Sequence, residues 1–128
     1  YRHAPLQSLH AKALKEAEAT ECAGELGGND GFWKFTDKLF EVTPSNDGLA
    51  LSQLPEIAEQ VGLNRSKFEK CLDSGKYREH VLEDLQGAED AGLQGTPYSV
   101  LVAGDQLIPI SGAQPFASVK AAIDSVLK

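Results

Sequence analysis

The 128 residues include no methionine, one tryptophan and only two cysteines. Each scarcity excludes something. Cys22 and Cys71 lie far apart, so they form no C-x-x-C redox pair, and two thiols are too few for a four-cysteine metal site. They make either one internal disulfide or two buried thiols, since cysteine is among the most buried residue types. His3, His10 and His80 are scattered with no i, i+4 pair; surface or capping roles are expected of them and no metal site. No apolar run approaches the ~20 residues that cross a bilayer. Basic residues are few as well: 12 Lys and Arg stand against 19 Asp and Glu, a formal charge of −7. That balance argues against general nucleic-acid binding, which needs cations on phosphates. No secretory signal is visible at the front. A translated chain starts with methionine, so the opening Tyr1-Arg2-His3 leads us to expect that polypeptide once preceded residue 1.

What is present is ordinary for a globular protein: 41% hydrophobic and 24% charged residues, at a length that suits one domain with room for a subdomain. Ser8 is expected to cap a helix running to about Leu26, stopped by Gly27-Gly28-Asn29-Asp30. Phe32, Trp33, Thr36, Leu39 and Phe40 follow a helical period and are expected in the core. Thr43 to Gly48 reads as a loop. Leu54, Ile57, Ala58 and Val61 give a short helix ending at Gly62. Asn64 opens another, carrying Phe68, Cys71 and Leu72 and ending at Gly75. A longer one spans about Lys76 to Ala91, with Tyr77, Val81, Leu85 and Ala88 inward. Asp30, Asp47 and Glu56 are explained by loop and cap roles rather than catalysis.

Then the period changes. Tyr98 to Ala103 is β-rich and almost continuously apolar, Gly104-Asp105 turns the chain, and Gln106 to Ile110 returns as a second strand. Pro109 cannot donate to a ladder and should lie outward or at an edge. A last helix spans about Pro115 to Leu127, with Phe116, Val119, Ile123, Val126 and Leu127 on its core face. An isolated hairpin is marginal in water, and Val100-Leu101-Val102 expects cover on both faces. The sheet therefore reads as incomplete. Finding that strand on a solvated rim beside a single partner, with nothing docked alongside, would overturn the fold reading that rests on it.

Gly95-Thr96-Pro97-Tyr98, set between a long helix and a hairpin that leads to a C-terminal helix, resembles the second half of a thioredoxin fold. Tyr1-Arg2-His3-Ala4-Pro5-Leu6, Ser8-Leu9-His10, Glu21-Cys22-Ala23, Phe32-Trp33 through Phe40, Lys67 to Leu72, Ser74 to Tyr77 and Ile110 to Pro115 extend the likeness. Together they resemble the DsbA-like thiol–disulfide oxidoreductase family across nearly the whole chain.

The resemblance implies an α/β protein: an incomplete thioredoxin-like fold with a helical insertion, a β-hairpin and a C-terminal helix. Residues 1–6 would end a strand, 7–92 form the insertion, and 93–128 supply the second thioredoxin half. It further implies a cis bond before Pro97, with the Thr96 backbone pairing to extended substrate by strand addition. The family's C-x-x-C is missing, so this chain is expected to have no catalytic residue of its own. Cys22 and Cys71 become candidates for a structural disulfide. No cofactor and no metal are implied. The intact protein would act on cysteine-containing polypeptides outside the bacterial cytoplasm, in the periplasm, secreted or tethered to a membrane. The alternative is a naturally shortened, non-catalytic binding or assembly module, a homodimer joined through the unpaired sheet edge.

Overall fold

A computed structural model describes residues 1–127. In chain order it contains α1 (Ala13–Val42), a 3-10 turn (Leu51–Gln53), α2 (Leu54–Gln60), α3 (Arg65–Ser74), α4 (Arg78–Asp90), β1 (Tyr98–Ala103), β2 (Gln106–Ser111) and α5 (Phe116–Val126). The chain divides into two compact units, Tyr1–Gln86 and the part from Gly87 onward. The boundary falls inside α4.

The first unit holds the core. Phe35 and Phe68 are fully buried, with ring centroids 5.2 Å apart. Leu49, Leu54, Ile57, Ala58 and Leu72 close around them. Ala19 and Ala23 keep the first half of α1 slim enough for close packing. α1 starts four residues later than a cap at Ser8 would place it, with Lys12 at the cap position. Leu9 and His10 both donate to the Leu6 carbonyl, so residues 6–10 close a turn of their own before the helix begins. The glycine stop falls where expected: Gly28 has φ 64° and ψ −158°, a backbone state open essentially to glycine alone. The helix resumes at once, and the break resets which face points inward. Phe35, Thr36 and Leu39 are buried, whereas Trp33 is 41% and Phe40 76% exposed. The expected core positions of Trp33 and Phe40 are therefore corrected to the surface. Gly31 sits so close to the first half that a methyl there would lie 2.8 Å from the Ala23 carbonyl oxygen.

Asn64 caps α3 by accepting from the Lys67 amide at 2.9 Å, and Gly75 ends it in the left-handed region. The loop after α1 is tied down by Lys12, whose ammonium donates to the carbonyls of Asp47 (2.7 Å) and Leu49 (2.6 Å). Asp47 accepts from the Lys12 amide at 3.2 Å. Residues 1–6, expected as the end of a strand, pair in no ladder among the described residues.

The second unit is a hairpin followed by α5. β1 pairs antiparallel with β2 from Tyr98↔Ser111 to Ala103↔Gln106, around Gly104 at φ 58°. Pro109 faces Val100 and is exposed. β1 has β2 as its single partner among the described residues, and Val100 and Val102 are 37% and 66% exposed. No described residue from Gly87 on is buried. The expected core face of α5 is a second correction: Phe116 and Leu127 are largely in solvent and Ile123 is exposed. An apolar strand and helix with no further layer beside them leave such side chains in water.

Candidate functional site

Two arrangements could carry chemistry, one in each unit. In the second, the Thr96–Pro97 peptide is cis and both residues are exposed at the entrance to β1. The Pro97 carbonyl accepts from the Gly112 amide at 2.9 Å, and the Tyr98 hydroxyl donates to the Ala91 carbonyl at 2.9 Å. These bonds hold the loop at both of its ends. The edge of β1 away from β2 keeps its backbone groups free of any strand partner among the described residues.

In the first unit, the opening residues lie across α1 and α4. His3, expected at the surface, is 2% exposed. Its backbone amide donates to Asp84 Oδ2 at 3.0 Å, and its ring Nε2 lies 2.7 Å from Glu21 Oε1. With Glu21 ionised, Nε2 carries the proton and donates. His80 Nε2 approaches the same Glu21 oxygen at 3.8 Å, and Arg2 Nε stands 3.6 Å from Asp84 Oδ1. Tyr1, Phe32 and Trp33 meet edge to face, with centroids 5.1 to 5.6 Å apart. Tyr1, Arg2, Glu21, Phe32, Trp33, His80 and Asp84, with Asn29, line an open cleft of about 300 Å³. Burial raises the Tyr1 phenol above its ordinary range, and Glu21 and Asp84 raise it further.

Cys22 and Cys71 are joined in a disulfide between α1 and α3, with Cα atoms 5.8 Å apart. They are only 1% and 7% exposed. Beside them Glu25 accepts from the Tyr77 hydroxyl at 2.7 Å and pairs with the Lys76 ammonium. The Lys76 hydrogen bond, then that of Tyr77, holds the Glu25 carboxyl below the usual carboxylate range. Burial and then Glu25 push the Tyr77 phenol up to about 12. A bridged pair has no thiolate to attack with. Among the described residues, no three His, Cys, Asp or Glu side chains are placed to hold a metal ion.

The fold therefore brings Thr96 with Pro97, and Cys22 with Cys71, within separate units. The cleft escaped the sequence reading altogether. Positions 1, 21, 33 and 84 share no spacing, and only the folded first unit assembles them.

Comparison with known proteins decides the family. The DSBA-like thioredoxin domain model matches residues 33–124. Among solved structures, Pseudomonas aeruginosa DsbA2 is similar over 97% of this chain and 68% of its own, with a TM-score of 0.80 and 27% identity. Among curated proteins, the Na(+)/H(+) antiporter NhaA 1 of Salinispora arenicola is 33% identical over 101 residues, and that of Mycolicibacterium vanbaalenii 30% identical over 99. Each match takes in 76% of this chain but only 14% and 15% of those much longer proteins. The solvated position of β1 weighs against a thioredoxin-type sheet when taken alone. A likeness that spans nearly every residue outweighs it. No helix among the described residues is long and apolar enough to cross a membrane. By the match to more than half of its length, the chain belongs to the DSBA-like thioredoxin domain family.

Proposed function

We propose that the chain forms the helical and substrate-docking part of a thiol–disulfide oxidoreductase that acts on exported polypeptides bearing cysteines. The likeness to Pseudomonas aeruginosa DsbA2 over 97% of the chain is the observation that carries this reading. Residues 7–92 act as the helical insertion and 93–128 as the second thioredoxin half. Thr96 and Pro97, exposed where β1 begins, offer main-chain groups to an extended substrate, a mode that binds with little sequence preference. The 128 residues hold no C-x-x-C. The exchanging pair accordingly lies on polypeptide outside them, and this chain alone is inactive. The site of action is extracytoplasmic.

The test is turnover of a reduced or scrambled protein substrate by the full-length gene product, beside the 128-residue chain. Turnover by the first, lost when its C-x-x-C is changed to serines, with none by the second, is expected. Turnover by the short chain, or a full-length product without C-x-x-C, overturns the proposal.

A second reading concerns context and rests on a different observation. The similar segments form about one seventh of proteins named as Na(+)/H(+) antiporters. A thioredoxin-like domain attached to an ion-transporting membrane protein accounts for that proportion. Fractionation of the native protein tests it: a membrane-bound product far larger than 13.7 kDa supports attachment, and a freely soluble product of about this size excludes it.

A further inference from the structure

We propose that Tyr98 is a positioning residue for substrate docking: its hydroxyl ties the Thr96–Pro97 loop to the end of α4 and so sets where the Thr96 main chain meets an extended polypeptide. This role rests on the thiol-exchange reading and deepens it. The segment between α4 and β1 is loose by composition. Gly92 and Gly95 interrupt it, and glycine has more backbone freedom to lose than any other residue. Thr96 and Pro97 are exposed. A loop of that kind must be ordered when it pairs with another chain, and ordering it beforehand removes that cost from binding.

Two bonds do the ordering, both within the second unit. On one side, the Gly112 amide donates to the Pro97 carbonyl at 2.9 Å, one step beyond the Tyr98↔Ser111 pair, so the hairpin ladder reaches Pro97 itself. On the other, α4 ends in a Schellman motif: the Leu93 amide donates to the Ala88 carbonyl and the Gly92 amide to that of Glu89, with Gly92 at φ 92°. The Ala91 carbonyl lies beyond both of those bonds and accepts from the Tyr98 hydroxyl at 2.9 Å. Donor and acceptor stand seven positions apart, so this one bond closes residues 92–97 across their base. It is made by the side chain of the residue directly after Pro97, and it can be removed without touching the backbone. Phenylalanine keeps the ring and loses only the donor.

The test takes the full-length gene product with its C-x-x-C oxidised and follows reduction of that pair by two dithiols. One is an extended peptide carrying two cysteines; the other is dithiothreitol, which has no main chain to pair. Tyr98→Phe should raise the half-saturating peptide concentration about fivefold, the worth of one ordinary hydrogen bond, with the limiting rate within about twofold. The rate with dithiothreitol should stay as in wild type. Tyr77→Phe, which removes a hydroxyl bond in the first unit, should leave both reactions unchanged. Circular dichroism confirms that each variant folds. An unchanged half-saturating concentration in Tyr98→Phe, an equal loss with dithiothreitol, or the same loss in Tyr77→Phe overturns the assignment. A wild-type product that reacts with neither dithiol refutes the thiol-exchange reading itself, and the assignment falls with it.

Discussion

At the scale of single residues, pairs of partners decide what each side chain contributes. Tyr77 is the clearest case. Its neutral phenol donates to Glu25, and burial opposes the phenolate, so its folded pKa lies near 12 against about 10 in an unfolded chain. A raised folded pKa gives stability that is fully present below pH 10 and is lost as pH climbs from there towards 12. Phenolate absorbance should therefore show one of the three tyrosines titrating near 12, and Glu25→Gln should bring that step down. A titration curve unchanged by Glu25→Gln removes the assigned cause. Phe68 makes a different kind of contribution. It is fully buried against Phe35, and Phe68→Ala should cost about 3–5 kcal/mol through lost transfer energy and an unfilled cavity. A urea midpoint close to wild type excludes that central role. Phe68 was legible in the sequence because α3 has an undisturbed period between Asn64 and Gly75. Trp33 was not. One aromatic beside another fits several helical faces, and the break at Gly28 decides among them only in three dimensions.

At the scale of elements, glycine placement both ends helices and lets them approach. Gly24 and Gly31 lie on the two sides of the Gly28 break and make opposite predictions. An added methyl at Gly24 meets Phe32 at an ordinary 3.5 Å. Gly24→Ala should hold or raise stability by about 0.5–1 kcal/mol through helix propensity. At Gly31 it would press on backbone, 2.8 Å from the Ala23 oxygen. Gly31→Ala should cost about 1–3 kcal/mol by overpacking. Matching thermal midpoints for the two variants would contradict this contrast. The disulfide joins α1 to α3 across 49 positions. Replacing both cysteines by serine should lower unfolding free energy by about 4 kcal/mol in the chain-entropy model, measured in urea. A loss below 1 kcal/mol means the helices hold one another without it. The helix stops, the Asn64 cap and the hairpin were all readable, since each rests on a local backbone preference. The start of α1 was not: Ser8 has a capping side chain, yet the turn that closes on the Leu6 carbonyl takes its segment first.

At the scale of the molecule, burial is unevenly shared. The first unit encloses every buried residue described, and the second encloses none. Amide exchange should be slowest in the helices that carry Phe35 and Phe68 and faster throughout β1 and β2, because opening a hairpin with little buried apolar surface costs little. Slow, core-like exchange at Val100 and Val102 would show a covering layer in solution and revise the second unit. The order of helices, hairpin and helix was visible in the sequence. The depth at which Phe116, Leu127 and His3 sit was not, because burial depends on what the rest of the fold places over a face. Periodicity says which side chains share a face and nothing about whether that face is covered.

The seam between α1 and α3 has one more implication, for how the protein is made. Its sulfurs are sealed from solvent by the packing that holds them in register. Residual exposure of 1% and 7% leaves little room for a reagent to approach once the helices have closed. Formation of this bridge is thereby tied to the folding of the first unit itself.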